Sequence, residues 1–238
     1  MSAIVITGAG GDIGRAIRRQ LESDGAATVG LDLETSEGVE VAVDLADLVS
    51  VSTVATELAA TYDIRGIVHV AAYQPTASVG SFDTDAWEQA MRVNCLSLDV
   101  LTGACASTLK RNRGTIVAIS SIHAKSTAPG MGIYAATKAA LESWVRSAAI
   151  ELAPAVTVNG IAPGAVNGRK LDEGLERFAV SERLGVLERI SSRAPARRVG
   201  DPGEIAELVA FLMNADCRFM TGTTVAIDGG SQIRLAGE

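Results

Sequence analysis

The sequence is poor in the side chains that most often hold metals or form disulfides. It has two histidines, His69 and His123, and three scattered cysteines at 95, 105 and 217. Neither HExxH nor CxxC occurs, so no metal site is expected, and an odd set of separated thiols is no disulfide framework. A reducing, cytoplasmic setting is the corresponding expectation. Basic residues are outnumbered, 21 Lys and Arg against 28 Asp and Glu, for a formal charge of -7. That balance weighs against nucleic acid or an anionic membrane as a partner. No apolar run approaches the ~18 residues that signal a membrane-spanning helix. The N-terminus enters a short apolar run at once, without the basic stretch of a secretion signal. The GxSxG of α/β-hydrolases and the GxxxxGK[ST] of P-loop NTPases are missing too.

What the chain does have is core. Hydrophobic residues make up 47% of its 238 positions, enough for one well-buried domain and too little length for two full ones. Strand-like runs rich in branched residues recur: SAIVIT, ATVGLD, VEVAVD, IRGIVHVAA, GTIVAISS, AVTVNGIAPG and TTVAID. Between them lie segments with helical spacing. One follows Gly11 and is closed by Gly25, one starts near 48, and one long stretch covers 83–110. Two more cover 133–153 and 201–214, the last with Asp201 as cap, Pro202 in the first turn and Glu204 three residues on. This alternation predicts an α/β fold, a doubly wound parallel sheet of about seven strands with helices on both faces. Residues 165–200 break the rhythm and read as an excursion over the sheet edge, a substrate lid.

The run TGAGGDIG, Thr7 to Gly14, joins the first strand to the first helix. The strict GxGxxG fails, because Ile13 stands at its last position; the glycines fall at 8, 10, 11 and 14. Its setting still suits pyrophosphate, since free N–H groups at a helix start hold anions. Asp32 ends the second strand. A carboxylate there accepts ribose hydroxyls and repels a 2′-phosphate, and neighbouring Leu33 offers no compensating charge, so NAD is favoured over NADP. Asp44, followed by Leu45, closes the third strand; it either accepts from the adenine amine or caps a turn. Asp12, just ahead of Ile13, is expected to point away as a helix cap on Gly14 or Arg15.

YAATK places Tyr134 and Lys138 four residues apart on one helical face. A neighbouring ammonium is expected to lower the phenol pKa from roughly 10 toward neutrality, fitting the tyrosine for proton exchange with an alcohol or carbonyl. Ser121 ends a strand thirteen residues earlier, at the side of the sheet where ligands bind.

Together these motifs resemble the short-chain dehydrogenase/reductase family, over essentially the whole chain. TGAGGDIG is similar to that family's TGxxxGxG, and YAATK to its YxxxK. Ser121 stands at its serine, Asn94 in VNCLS at its asparagine, and Pro163-Gly164 at its turn beside the nicotinamide. The resemblance implies a single Rossmann-like domain, with 1–120 mainly cofactor-binding and 121–238 carrying the catalytic and substrate half. It implies Tyr134 as general acid/base, Lys138 tuning it and holding the nicotinamide ribose, Ser121 orienting substrate, and Asn94 in a proton relay. Gly8, Gly11, Asp12, Ile13, Gly14, Leu33, Asp44, Leu45, Ala71, Ala72 and Val166 join the expected cofactor contacts. Three positions depart from the family pattern. Asp12 replaces its middle glycine, His69-Val70 replaces two asparagines, and Gly168 stands where a hydroxyl residue often bonds the nicotinamide carboxamide.

The expected function is NAD-dependent hydride transfer between a secondary alcohol and its ketone. The substrate is expected to be small and polar, cyclic or a hydroxy acid, and to meet Ser121, His123, Tyr134 and Arg169. The rival readings are a dinucleotide-binding scaffold or regulator without activity, and a nicotinamide-using lyase or epimerase; loss of Ser121, Tyr134 or Lys138 would mark the scaffold, and all three are present. The family resemblance further implies a homotetramer or dimer, with helices 83–110 and 132–153 at one interface.

Overall fold

Seven strands form one sheet, ordered β3-β2-β1-β4-β5-β6-β7 with every pairing parallel. The computed structural model describes residues 2–81, 83–214, 216 and 218–233. The strands are β1 (Ser2–Thr7), β2 (Thr28–Asp32), β3 (Val41–Ala42), β4 (Asp63–His69), β5 (Thr115–Ile119), β6 (Thr157–Pro163) and β7 (Thr224–Ile227). The chain builds outward from β1 to β3, then returns to lay β4 on the other side of β1. That reversal opens a crevice at the carboxyl ends of β1 and β4, the place where ligands enter open α/β sheets.

The continuous apolar strands are explained by burial on both faces. Successive side chains of β1 point to opposite sides. Ala3 and Val5 join one core, with Val51, Leu58, Leu101, Leu141 and Val145. Those partners come from α2 (Leu48–Thr61), α4 (Ser97–Arg111) and α5 (Gly132–Leu152). Ile4 and Ile6 join the other core, with Ile17, Leu21, Ile205, Val209 and Leu212. These come from α1 (Asp12–Ser23) and α8 (Pro202–Met213). The α8 start is the one its sequence indicates, with Asp201 and Glu204 forming a reciprocal capping box.

Two expectations need correction. The third strand is only two residues long. Past Ala42 its extension is a single bond from Val43 N–H to the Asp32 carbonyl at 2.8 Å, after which the chain turns away from this sheet edge. The stretch 83–110 is not one regular helix. α3 (Thr84–Met91) and α4 are joined by a π-helical turn, Arg92–Leu96. Such a turn inserts an extra residue, and here it carries Asn94 inward. The 165–200 excursion is largely helical, with α6 (Arg169–Glu176) and α7 (Val180–Arg193). Its base is pinched by a Val166–Gly200 bridge. Only Val186 and Ala194 of its apolar side chains are buried, so little packing holds it down.

The tightest backbone approach positions the glycine turn. A Cβ on Gly14 would lie 2.1 Å from the Gly8 carbonyl oxygen. Gly14→Ala is therefore expected to destabilise the protein by about 3 kcal/mol, the upper range of overpacking. For a chain of this size that lowers the unfolding midpoint by about 8 °C, which differential scanning calorimetry would read.

Candidate active site

The crevice has a polar wall at the glycine turn. Gly8 adopts a φ of +66°, and a Cβ there would lie 2.7 Å from the Ala71 nitrogen. The approach is fixed by the Thr7 hydroxyl, which accepts from Val70 N–H at 3.2 Å and Ala71 N–H at 3.3 Å. Having accepted twice, it donates its proton to Nδ1 of His69, 2.9 Å away. His69 thus ties β1 to β4 in place of an asparagine. Ala71 and Ala72 remain half-buried small residues beside the turn. Asp32 is aimed at the turn as well. Its Oδ2 accepts from Gly10 N–H at 2.9 Å and its Oδ1 from its neighbour Leu33 N–H at 2.8 Å. Each oxygen retains a lone pair for a ligand hydroxyl. Leu33 itself is 67% exposed. Asp44 caps a turn, its Oδ1 accepting from Ala46 N–H at 2.8 Å, which leaves Oδ2 open. The Leu45 side chain belongs to the core.

Opposite this wall stand Ser121, Tyr134 and Lys138. Ser121 follows β5 and caps a short 3-10 turn, Ile122–Ala124, its Oγ accepting from His123 N–H at 3.2 Å. Tyr134 lies in the first turn of α5, its phenol facing the Ser121 hydroxyl. One helical turn on, the Lys138 Nζ is 5.7 Å from the Tyr134 ring centre and donates to the Ile119 carbonyl at 2.7 Å. Asn94 is wholly buried. Its amide donates to the Tyr73 carbonyl at 2.9 Å and the Thr137 hydroxyl at 2.8 Å, and accepts from Tyr73 N–H at 2.7 Å. With its side chain fully engaged, Asn94 locks the π turn to α5 and to the loop after β4. Pro163 and Gly164 close β6, where Gly164 N–H bonds the Ile227 carbonyl at 3.0 Å.

A family model described as Enoyl-(Acyl carrier protein) reductase matches residues 8–232. The chain is 31% identical to 2-(S)-hydroxypropyl-CoM dehydrogenase 3 of Xanthobacter autotrophicus over 244 residues, 95% of each chain. The chain belongs to the short-chain dehydrogenase/reductase family. The ligand-free aldohexose dehydrogenase of Thermoplasma acidophilum shares the fold, with a TM-score of 0.93 at 23% identity, covering 100% of this chain and 96% of that one. A Beutenbergia cavernae protein, described as an NAD(P) dependent gluconate 5-dehydrogenase and solved with bound NADP at low occupancy, has a TM-score of 0.89 at 28% identity. It is covered over 97% of its length by 98% of this chain. The chemistry of this short-chain dehydrogenase/reductase is therefore NAD(P)-dependent oxidation and reduction at a CH–OH carbon.

The site's electrostatics differ from the expectation in one respect. The Tyr134 phenol is not lowered: burial pushes it up to about 12, against the opposing pull of the Ser121 hydroxyl. Lys138, also deep in the protein, is pushed down to about 8 by burial. At this depth the crevice is dry, and the cost of burying either charge outweighs the help that an ammonium four residues away was expected to give. His69 is pushed down to about 3, by burial first and then by the Lys138 charge. It is neutral at any working pH, with Nε2 lacking a hydrogen-bond partner. The carbonyls of Val93 and Asn94 in the π turn lie close enough to favour its protonated form.

Two features escaped the sequence reading. Asp12 does not cap its own helix. Gly11 is the N-cap and no side chain bonds there. The Asp12 carboxylate instead reaches across the crevice, where Oδ2 accepts from Arg169 N–H at 2.7 Å. Gly168 makes room for it, since a Cβ there would come within 2.5 Å of the same oxygen. The signal lay in the paired departure from the family pattern, a side chain gained at 12 and one lost at 168. On the substrate side, the His123 ring stands edge-on to Tyr134 with centroids 5.9 Å apart, and burial lowers its pKa. The Arg169 guanidinium is 68% exposed and pairs with Glu173 at 3.5 Å, so its main-chain N–H is the group that meets the glycine turn. Val166 sits at the excursion's pinched base. The far end of α6 is tied by Arg177, which donates to the Thr76 hydroxyl at 3.1 Å. Cys95 and Cys105 are free thiols buried in the protein, and Cys217 lies outside the described residues. Among the described residues no helix is long and apolar enough to cross a membrane.

Proposed function

We propose that the protein is an NAD-dependent dehydrogenase that oxidises a small polar secondary alcohol to its ketone. The observation that carries the cofactor choice is Asp32, a carboxylate anchored by Gly10 N–H at 2.9 Å at the end of β2. A 2′-phosphate would bring about two negative charges against it, whereas ribose hydroxyls satisfy its free lone pairs. The residues present fit such a cofactor: the turn is stripped of side chains at Gly8, Gly10, Gly11 and Gly14, and the acid faces it. Asp32, the N–H groups of Ile13 and Gly14, and Lys138 would hold it, with Pro163-Gly164 and Val166 bounding its far end. When bound, NAD supplies the hydride acceptor.

The chain's own residues handle the proton. Ser121 and Tyr134 converge on one substrate oxygen. In the oxidation direction Tyr134 Oη accepts the hydroxyl proton as the C–H hydride departs; in reduction it returns that proton to the carbonyl oxygen. The Lys138 ammonium stabilises the phenolate that this requires. Asn94 takes part by holding the π turn against α5 through its bond to Thr137. His123, beside Tyr134, and the lid helices α6 and α7 bound the substrate. The same reading includes a homotetramer. It is supported by Leu96, just before α4, 40% exposed, and by Ile150 on α5, 81% exposed, both on elements assigned to the interface.

Equilibrium titration of the purified protein with NADH and NADPH tests the cofactor choice. NADH is expected to bind at least tenfold more tightly. Asp32→Ala is expected to weaken NADH binding about tenfold, the loss of about two ribose hydrogen bonds, and to abolish the preference. Equal affinity of the unaltered protein for both forms would overturn the reading, and the NADP bound by the Beutenbergia relative would then be the better guide.

A further inference from the structure

The contact between Asp12 and residues 168–169 joins parts of the chain that the sheet holds far apart. Asp12 follows β1, and Gly168 follows β6. Two strands, β4 and β5, lie between them, a separation of roughly 14 Å at ordinary strand spacing. The segment after β6 therefore reaches back over the crevice to meet the glycine turn. A dinucleotide anchored at Asp32 and reacting at Tyr134 must pass beneath or beside this contact, because Asp32 ends β2 and Tyr134 faces the end of β5. The Asp12 carboxylate thus stands between the two anchor points, on the stretch of the path that leads to the reacting end.

The carboxylate carries a charge that nothing nearby pairs. Among the described residues no cation forms an ion pair with it. Arg18 is committed to Glu22 and Glu40, at 2.7 and 2.6 Å, and the Arg169 guanidinium to Glu173. Arg15 and Arg19 line a neighbouring cleft with Asp12 but fall outside ion-pair range. Asp12 is half-buried, so solvent screens it only in part. The two redox forms of the dinucleotide differ by one charge, since the oxidised nicotinamide ring is cationic and the reduced ring is neutral.

We infer that Asp12 is a specificity residue for the redox state of the cofactor. Resting on the cofactor reading above, it favours binding of the oxidised form over the reduced one. The same carboxylate, through Arg169 N–H, fastens the first lid helix to the cofactor turn. The bareness of Gly168 is the condition for both.

Calorimetric titration with NAD and with NADH, on the unaltered protein, Asp12→Asn and Asp12→Ala, separates charge from contact. Asparagine keeps an acceptor for Arg169 N–H and removes only the charge. Its ratio of NAD to NADH affinity is expected to fall about fivefold, the size of a unit-charge interaction across several ångströms in a half-solvated crevice, with proteolysis of residues 169–193 unchanged. Alanine is expected to show the same fall and also faster proteolysis of that segment. A ratio unaltered in both variants would overturn the inference while leaving the cofactor reading intact. Binding of neither form to the unaltered protein would overturn the cofactor reading and this inference with it.

Discussion

Tyr134→Phe is expected to lower kcat about a thousandfold, within the range for loss of a positioned general acid/base, while the Kd for NADH changes by less than about twofold. The substitution deletes one oxygen from a ring that is only 8% exposed and leaves its volume in place. The groups assigned to the cofactor, Asp32, the glycine turn and Lys138, are untouched, so binding and chemistry should separate cleanly. The lost hydroxyl is the one that faces Ser121, and among the described residues no other titratable side chain bonds that serine. The nearest substitute is His123, with ring centroid 5.9 Å from that of Tyr134. Its pKa is lowered by burial, so above its titration range it is a neutral base, able in principle to take a proton from an alcohol. The double variant Tyr134→Phe, His123→Ala decides whether it does. Single-variant activity within tenfold of the unaltered protein, abolished in the double variant, would move the base to His123. Saturated initial rates with NAD and a panel of secondary alcohols, beside NADH titrations, check both.

The parallel sheet was legible because parallel strands bury both faces and so read as unbroken apolar runs, as in Ala3–Ile6 and Ile116–Ile119, all buried. The short β3 was not, because VEVAVD alternates like a strand while only Val41 and Ala42 pair in register with β2, Glu40 and Val43 each adding one main-chain bond. Hydrophobic patterning reports burial, and burial does not say how far a ladder runs. The π turn was invisible for a related reason: its five residues keep helical spacing, and the bonds that hold Asn94 there, to Tyr73 and Thr137, are tertiary. In the site, spacing was enough to bring Tyr134, Lys138 and Ser121 together, since two lie on one helix and the third on the adjoining strand end. Spacing could not reveal that Asp12 bonds a residue 157 positions away. Nor could it give the sign of the Tyr134 shift. Four-residue spacing announces the lysine, but the depth of burial, which overrides it, is a property of the assembled fold.

That burial makes Lys138 the site of the second large effect. Lys138 is fully buried and its pKa falls from 10.5 to about 8. Between those values the unfolded chain keeps a proton that the folded chain has released. Stability therefore rises with pH across this window, and below pH ~8 the folded protein carries the full cost of an ammonium in a dry site, on the order of 3 kcal/mol. Lys138→Met fills the same space without charge. It also removes the donor to the Ile119 carbonyl, 2.7 Å from Nζ, a loss of about 1 kcal/mol. The variant is expected to be more stable than the unaltered protein by about 2 kcal/mol at pH 7, a rise in unfolding midpoint of about 5 °C. The advantage should shrink toward zero, or reverse, by pH ~10. Tyr134 does not blur this window, because its raised pKa makes stability fall with pH only above ~10, where the unfolded phenol begins to ionise. Activity should move the other way, falling at least a hundredfold as the phenolate loses its counter-charge. Stability gained where activity is lost is the mark of a residue held in a costly state for its chemistry. Urea unfolding at pH 7 and 9.5, run on both proteins without cofactor, reads the sign directly. A variant destabilised equally at both pH values would show that the buried ammonium is no burden, and that the dry crevice invoked for Tyr134 is wetter than its geometry implies.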